Sequence, residues 1–255
     1  MFAEERKQKI LEYVREYKKA TVQQLCDAYD VSSATIRNDL RELEGSGLLL
    51  RTHGGAIVKS KAKFELGTNE KKVLYKAEKA EIAERALALI EDGDTIILDT
   101  GTTTLELARK LGRRKNLTIV TNDLDTALVL DEIGIERVIM LGGILRSGFH
   151  CTLGNRAKDF LEEIQVDKAF MGVNGFTFEK GASTPDLQHA EIKEAMVAAA
   201  AKVYLMFDRS KLGRKAFARF ARLEEIDCVV IDEIARDELS SFDAAGIEVC
   251  PVKIL

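Results

Sequence analysis

The chain has 255 residues, of which 46% are hydrophobic and 31% are charged, so it can bury a sizeable core and wholesale disorder is excluded. Its four cysteines lie far apart and its three histidines form no metal-ligand cluster, which predicts reduced thiols and no metal or other cofactor. No apolar run approaches the roughly 18 residues that cross a bilayer, and the charged start lacks a signal peptide. We therefore expect a cytoplasmic protein that has no membrane partner.

The net charge of −4 is unevenly distributed along the chain. Residues 1–62 hold 11 basic and 9 acidic residues, whereas the remainder is acidic. Taken whole, the charge does not indicate a nucleic-acid binder, but a slightly basic N-terminal unit on an acidic body leaves that possibility open for the first part.

Apolar residues at helical spacing predict three helices in the first sixty residues. The first covers about Ala3–Tyr17, the second begins after Thr21, and the third covers Ser33–Glu44 with Ser32 as its N-cap. Ile36, which belongs to the third helix, is predicted to point inward together with the leucines that follow it at helical spacing. Two apolar runs then flank a glycine-rich basic tip, which predicts a small hairpin or wing.

The face of the third predicted helix that points away from the core carries small and hydrogen-bonding side chains. Arginine can bond guanine and asparagine can bond adenine in the major groove, and a helix, a turn and a second helix with such a stripe indicate a helix-turn-helix. The candidate DNA-binding residues are Ser32, Ser33, Thr35, Arg37, Asn38, Arg41, Arg51 and His53. The alternative is a plain three-helix bundle with a solvated charged face.

The second part of the chain alternates between strand-like and helix-like stretches, which predicts a mainly parallel sheet of βαβ units. We predict a DNA-binding domain at 1–58, a connector at 59–75 and an effector-sensing and oligomerisation domain at 76–255. The predicted strands are Thr95–Leu98, Leu117–Val120, Val138–Leu141, Lys168–Val173, Val203–Phe207, Cys228–Ile231 and Glu248–Val252. The predicted helices are Lys76–Ile90, Thr104–Leu111, Leu124–Asp131, Asn155–Ile164 and Asp186–Ala201.

Small hydroxyl, amide and glycine residues recur where these strands end. Ligands of open α/β sheets bind beyond the carboxyl ends of the strands, so this set suits a polyhydroxylated or phosphorylated small molecule. Asp99–Thr104 joins a strand to a helix through a glycine and a run of threonines, which could cradle a phosphate or could be an ordinary capped turn. The candidate effector-binding residues are Asp99, Gly101, Thr102, Thr103, Thr104, Thr121, Asn122, Gly143, Asn174, Gly175, Lys193 and Lys211. Lys193 could instead be an exposed helix residue.

The residues also resemble a known family over nearly the whole chain. Val31–Leu40 and Gly47–Ala56 resemble the winged helix-turn-helix of the DeoR family of bacterial transcription regulators, with Asn38 standing where that family usually has a second arginine. The sensor domain of the same family is similar to residues 76–252 of the chain. The segments that carry this resemblance are Gly93–Thr104, Thr121-Asn122, Leu141–Gly143, Phe170–Gly175 and Asp208–Arg214.

This resemblance implies a winged helix-turn-helix followed by an α/β domain similar to ribose-5-phosphate isomerase, glucosamine-phosphate deaminase and CoA-transferase-like folds. It also implies a repressor that binds operator DNA as a dimer or larger homo-oligomer and is released by a phosphorylated sugar. An alternative is a sugar-phosphate isomerase or deaminase with an appended DNA-binding unit, for which the candidate bases are Asp99, His189 and Glu191. A scaffold without a ligand would leave the polar strand ends unexplained.

Overall fold

A computed structural model describes residues 2–17, 19–46, 48–52, 54–58 and 65–255. It divides into two compact units, Met1–Leu66 and Gly67–Leu255. The second unit begins ahead of the predicted start at residue 76, inside the stretch predicted as a connector. Within the described residues, no helix is both long enough and apolar enough to span a membrane.

The described residues of the first unit form three helices and three short strands. In chain order they are α1 (Ala3–Tyr17), β1 (Lys19–Thr21), α2 (Val22–Tyr29), α3 (Ser33–Gly45), β2 (Leu49–Thr52) and β3 (Gly55–Val58). The three predicted helices and the predicted hairpin are confirmed, and β1 is an additional strand that completes an antiparallel sheet in the order β1-β3-β2. The hydroxyl of Thr21 accepts from the backbone amide of Gln24, and the Gln24 side chain accepts from the Thr21 amide in return, which fixes the start of α2.

The core of the first unit is built from the apolar stripes of its helices. Ile10 of α1, Leu25 of α2 and Ile36 of α3 are fully buried together. A charged pair lies beside them: the Arg6 guanidinium donates to both carboxylate oxygens of Asp39, at 2.6 and 3.1 Å. This bidentate contact ties α1 to the buried side of α3 and thereby sets which face of α3 remains outside.

The second unit is an α/β domain whose elements continue in chain order. Its helices are α4 (Thr68–Val73), α5 (Lys76–Leu87), α6 (Thr102–Ala108), α7 (Leu124–Glu132), α8 (Asn155–Glu162), α9 (Leu187–Ala198) and α10 (Arg236–Ala244). Its strands are β4 (Thr95–Leu98), β5 (Thr118–Thr121), β6 (Arg137–Met140), β7 (Ile144–Arg146), β8 (Cys151–Leu153), β9 (Val166–Gly172), β10 (Gly175–Thr177), β11 (Gly181–Thr184), β12 (Ala200–Phe207), β13 (Ala218–Ala221), β14 (Cys228–Ile234) and β15 (Glu248–Ile254).

Seven of these strands form one parallel sheet in the order β15-β14-β12-β9-β4-β5-β6. All seven predicted strands lie in it, so the predicted α/β class with a parallel sheet is confirmed. Alternate residues of β4 point to different sides, with Ile97 in one apolar cluster and Ile96 and Leu98 in the other. Both faces are therefore covered, which explains why these strands read as continuous apolar runs in the sequence.

The sheet has one topological switch point, between β4 and β9. The chain proceeds from β4 through β5 to β6 on one side, and then returns to place β9 on the other side of β4. In sheets of this class, the loops that follow the two strands beside such a switch point diverge, and ligands bind between them at the carboxyl ends of the strands. We call this region, between the loops that follow β4 and β9, the crevice.

Smaller antiparallel elements, which the sequence patterns did not predict, surround this sheet edge. A hairpin of β7 and β8 follows β6, and β10, β11 and β13 form a three-stranded sheet. At two predicted effector-binding positions in or beside these elements, glycine is required for steric reasons. A β carbon on Gly143, whose φ is +151°, would lie 2.9 Å from the carbonyl carbon of Leu153, and one on Gly175 would lie 2.6 Å from the carbonyl oxygen of Arg214.

Candidate functional sites

The exposed face of α3 presents the polar stripe that the sequence predicted. Ser33, Arg37, Asn38 and Arg41 are exposed, whereas Ile36 on the opposite face is fully buried. Among the described residues, Arg37 has no hydrogen bond or ion pair, so its guanidinium is available to a partner. The stripe has the residue types and exposure that a recognition helix requires.

Two of the predicted base-contacting side chains are held by their neighbours on the helix. Arg41 donates to the Asn38 side-chain carbonyl at 3.0 Å, and the Asn38 amide donates to Glu42 at 3.1 Å. Lys7 of α1 donates to the same Glu42 carboxylate at 2.8 Å. This hydrogen bond is the main reason that the pKa of Glu42 is lowered. These contacts are exposed to solvent and are therefore individually weak.

The remaining predicted DNA-contacting residues have local structural roles. The Ser32 hydroxyl accepts from the backbone amide of Thr35 at 3.2 Å and also contacts the Thr35 hydroxyl, so this pair caps α3. The Arg51 amide donates to Glu44 at 3.0 Å, which ties β2 to the end of α3. His53 lies outside the described residues.

The centre of the crevice is a buried ion pair. The Lys193 ammonium, on α9, donates to Asp99 Oδ2 at the end of β4, and it also donates to the Gly172 carbonyl at 2.9 Å. The Gly172 amide donates back to the same oxygen of Asp99 at 2.9 Å. Asp99 and Lys193 are 0% and 1% exposed, so the alternative of Lys193 as an exposed helix residue is wrong.

Burial and the neighbours Lys193 and His189 act on the pKa of Asp99 in opposite directions. Burial alone would raise its pKa, but the Lys193 ammonium and His189 outweigh burial and hold the pKa below its usual value. The second carboxylate oxygen, Oδ1, lies 3.8 Å from His189 Nε2 and has no hydrogen-bond partner among the described residues. The ion pair therefore leaves one acceptor oxygen unsatisfied at the switch point.

The next strand end, after β5, supplies a second set of buried polar groups. Thr121, Asn122 and Asp123 are all buried there. The Asn122 amide donates to the Thr152 carbonyl at 3.0 Å, while its own side-chain oxygen has no partner within the described part of the chain. Asp123 accepts from the Thr100 hydroxyl, and burial raises the pKa of this carboxyl despite that bond.

The threonine run after β4 lies inside a helix and not ahead of it. α6 begins at Thr102, two residues before the predicted start, because Gly101 serves as its N-cap in an extended conformation. The Thr104 hydroxyl donates to the Gly101 carbonyl at 2.9 Å, so it is used within the turn. Thr102 and Thr103 are only slightly exposed, and their backbone amides belong to the first turn of the helix.

The other predicted cation, Lys211, is also close to a carboxylate. It donates to Asp208 at 3.1 and 3.3 Å and to Ser210 at 2.7 Å, at the carboxyl end of β12. Burial opposes ionisation of Asp208, but Lys211 outweighs burial and lowers the pKa of Asp208. Asn174, after β9, accepts from the Thr184 hydroxyl at 3.1 Å and so links the crevice to the three-stranded sheet.

The sequence analysis did not identify three further titratable side chains near this edge. Arg146, at the end of β7, stacks on the Phe149 ring at 3.7 Å and lies 3.6 Å from Asp186. Cys151 is fully buried, and burial raises its pKa to about 12. Lys79 on α5 is buried as well, and burial lowers its pKa to about 8. The pattern Leu141-Gly142-Gly143 marked a strand end, but no signal indicated the hairpin that follows it.

The residues required for the enzymatic alternative are only partly brought together. His189 lies near Asp99, but Glu191 is exposed on another face of α9. Asp99 is paired with Lys193 and its pKa is lowered, whereas a general base at neutral pH needs a pKa near 7. Among the described residues, the three candidate bases therefore do not lie around one point.

A winged helix-turn-helix unit joined to an α/β unit with a polar switch-point crevice defines a class: DNA-binding regulators with a ligand-sensing domain. Comparison with family models agrees with this class. Residues 6–62 match the model described as the DeoR-like helix-turn-helix domain, and residues 75–233 match the DeoR C terminal sensor domain. The chain belongs to the DeoR family of transcriptional regulators.

Full-length relatives carry names of the same kind. The chain is 40% identical over 250 residues to the HTH-type transcriptional regulator GlpR of Haloferax volcanii, and the aligned region covers 98% of each protein. It is 33% identical over 248 residues to the putative aga operon transcriptional repressor of Escherichia coli O157:H7, covering 96% of this chain and 92% of the relative. It is also 33% identical over 250 residues to the HTH-type transcriptional repressor GlcR of Bacillus subtilis, covering 97% and 96%.

Solved structures resemble part of the chain at low sequence identity. Ribose 5-phosphate isomerase A from Methanocaldococcus jannaschii is 20% identical with a TM-score of 0.41, covering 54% of this chain and 55% of that one. The delta subunit of eIF2B from Chaetomium thermophilum is 20% identical with a TM-score of 0.46, covering 64% and 57%.

Proposed function

We propose that the chain represses a carbohydrate operon and that a phosphorylated sugar, bound in the switch-point crevice, controls its affinity for operator DNA. The observation that carries the ligand part is that two buried acceptor oxygens, Asp99 Oδ1 and Asn122 Oδ1, have no hydrogen-bond partner among the described residues. Two relatives are named as repressors: the putative aga operon transcriptional repressor of Escherichia coli O157:H7 and the HTH-type transcriptional repressor GlcR of Bacillus subtilis. These names support the proposal that the chain is a repressor.

The two acceptor oxygens favour a ligand that is rich in hydroxyl groups. A buried acceptor left unsatisfied costs about 1–3 kcal/mol, so a ligand that supplies an O–H donor to each oxygen regains that free energy on binding. Asp99 keeps a negative charge because its pKa is lowered, and an anionic group of the ligand is therefore expected away from it. Lys211, Arg146 and the first turn of α6 are the candidate partners for the phosphate.

On the DNA side, we propose that α3 enters the major groove and that the wing contacts the backbone. Arg37 is the first candidate for direct base contact because it is exposed and uncommitted within the described residues. Paired half-sites require two copies of the helix, so we propose that the chain acts as a homo-oligomer in the cytoplasm. The ligand changes DNA affinity only if it binds one arrangement of the assembly better than another.

The ligand proposal is tested by thermal unfolding of the purified chain with ribose 5-phosphate, glucose 6-phosphate, fructose 1-phosphate and the unphosphorylated parents. A compound at about 100 times its Kd stabilises the folded chain by roughly 2.7 kcal/mol. The variant Asn122→Leu should lose that stabilisation, whereas the exposed Lys202→Leu should retain it. A chain that no phosphorylated sugar stabilises contradicts the proposal.

The DNA proposal is tested with a duplex that the wild-type chain itself selects from a random-sequence pool. Arg37→Ala should weaken binding about 5- to 150-fold, because one bidentate base contact contributes roughly 1–3 kcal/mol. Arg219→Ala, which removes an exposed arginine of the second unit, is the matched control and should leave the affinity unchanged. Equal losses in both variants would show that only overall charge matters. Equal DNA affinity with and without the stabilising sugar phosphate would refute the control of repression by that ligand.

A further inference from the structure

The first nine residues of the second unit form a segment that lies directly against the proposed ligand site. This α4 segment, residues Gly67–Tyr75, contains the helix α4 and follows the end of the first unit in the chain. It packs against α6, whose first turn contains Thr102 and Thr103. The segment is therefore covalently next to the DNA-binding unit and spatially next to the crevice.

The start of the α4 segment is held by the loop between β7 and β8. The Thr68 amide donates to the Gly148 carbonyl at 2.9 Å, and Lys72 Nζ lies 2.7 Å from the Asp125 carboxylate on α7. His150 Nδ1 contacts the same carboxylate oxygen at 2.8 Å. Burial alone would raise the pKa of Asp125, but Lys72 and His150 outweigh burial and lower it, so the carboxylate keeps its charge at neutral pH.

This contact leads to Asn122 by a short chain of bonds. The amide of Leu124 donates to the His150 carbonyl at 2.8 Å, and the amide of Thr152 donates to the Asn122 carbonyl at 2.9 Å. The loop that holds the α4 segment is thus bonded on its other side to the strand end that carries one of the two unsatisfied acceptors. A change at Asn122 has a direct route to this loop.

The end of the α4 segment is held by two lysines. Lys79 Nζ donates to the carbonyls of Lys71 and Leu74, both at 2.6 Å, and so satisfies the last turn of α4. Lys211 Nζ lies 5.5 Å from the centre of the Tyr75 ring while it donates to Asp208. Both ends of the segment are therefore fastened to residues beside, or belonging to, the proposed ligand site.

Two of the candidate ligand-binding side chains are closed to solvent. Asn122 is 0% exposed and Thr102 is 8% exposed, so a sugar phosphate reaches them only when an element packed nearby moves. The α4 segment is the element best able to move. A helix of six residues has little stability of its own, and the exposed fractions of 35% and 25% at Lys72 and Asp125 make their ion pair weak.

We propose that the α4 segment is a latch that opens when a phosphorylated sugar binds in the crevice. Because the segment directly follows the DNA-binding unit in the chain, its opening couples ligand binding to that unit. This inference rests on the proposed function. Since the ligand binds the open state, weakening the latch raises the open fraction and tightens ligand binding by the same factor. Removing a partly exposed ion pair corresponds to a change of about two- to fivefold.

The experiment combines hydrogen exchange with one pair of matched variants. Amide exchange of residues 67–75 is followed in the full-length chain with and without the sugar phosphate that most stabilises the wild type among ribose 5-phosphate, glucose 6-phosphate and fructose 1-phosphate. Lys72→Ala removes the ion pair to Asp125. Lys76→Ala removes a neighbouring exposed lysine that has no hydrogen bond or ion pair among the described residues. Thermal midpoints of both variants without ligand establish that they fold.

The latch predicts that the sugar phosphate speeds amide exchange in residues 67–75, and that Lys72→Ala binds it about two- to fivefold more tightly while Lys76→Ala does not. If the wild type binds the compound but exchange in this segment is unchanged, or if both variants bind equally, the latch is wrong and the proposed function stands. If Lys72→Ala does not fold, the exchange measurement on the wild type decides alone. If no compound of the panel binds the wild type, the proposed function fails and the latch fails with it.

Discussion

Removing the ammonium of Lys193 should unfold the second unit more readily than almost any other single change. Lys193→Met keeps the length and apolar volume of the side chain but leaves the Asp99 carboxylate, which is 0% exposed, without its cation. Breaking a buried ion pair in this way typically costs about 3–5 kcal/mol. In a domain of this size each kcal/mol lowers Tm by roughly 2–4 °C, so we expect a decrease of about 6–20 °C.

A double-mutant cycle separates the pair from ordinary packing. Asp99→Asn leaves the Lys193 ammonium with the Gly172 carbonyl and the Phe220 ring, 4.7 Å away, and should also be strongly destabilising. Carrying both substitutions removes both charges, and replacing a whole buried pair is often close to neutral. The double variant should therefore be clearly more stable than the sum of the two single losses predicts.

Urea unfolding followed by far-ultraviolet circular dichroism is the suitable assay, because the chain contains no tryptophan. Lys202→Met, which changes an exposed lysine on β12, is the matched control and should change stability by less than about 0.5 kcal/mol. The reasoning is refuted if Lys193→Met costs less than about 1 kcal/mol, or if the losses of the two single variants simply add.

The Asp99–Lys193 pair also predicts how stability depends on pH, and the direction of this dependence should reverse in Lys193→Met. With Lys193 present, the folded pKa of Asp99 lies below its unfolded value near 3.9, so its stabilising contribution is full above about pH 4 and is lost as the pH falls through the lower folded pKa. In Lys193→Met, burial of the carboxyl is opposed by fewer partners and its folded pKa should rise above the unfolded value. Stability should then fall as the pH rises from about 4 towards neutrality, which unfolding curves across that range would detect.

Three further predictions follow from other buried groups. Burial lowers the pKa of Lys79 from 10.5 to about 8, so the free energy of unfolding should rise by roughly 2–3 kcal/mol between pH 8 and pH 10.5, and urea unfolding of Lys79→Met should lose this rise. Gly55→Ala places a β carbon against the Ala20 backbone and 2.7 Å from the Cα of Thr21. Thermal melts should therefore show that the first unit is destabilised by about 1–3 kcal/mol or more, and an unchanged Tm would contradict this. Arg6→Met leaves Asp39 buried without its partner and should cost about 3 kcal/mol, seen as a lower midpoint in urea, while the exposed Lys9→Met should not.

The sequence by itself determined which stretches are helices and which are strands wherever burial follows a simple period. The apolar spacing of α3 left a single polar face, and the continuous apolar runs of β4 and β5 could be accommodated only in a sheet covered on both sides. Parallel strands place their carboxyl ends at one edge, so the polar strand ends Asp99 and Asn122 could be assigned to the same region from the sequence alone.

Only the tertiary structure decided how those polar groups are used. No local pattern relates Lys193 to Asp99, since they are 94 residues apart and meet because β9 returns beside β4. Gly143 and Gly175 remain candidate effector-binding residues, but their close contacts with neighbouring backbone could be found only from three-dimensional distances. The α4 segment has too few residues for a periodic signal, and its helix is held in place by groups from distant parts of the chain. A sequence period reports which side of an element is buried, whereas ion pairs and buried contacts between distant residues depend on the order in which the strands are arranged.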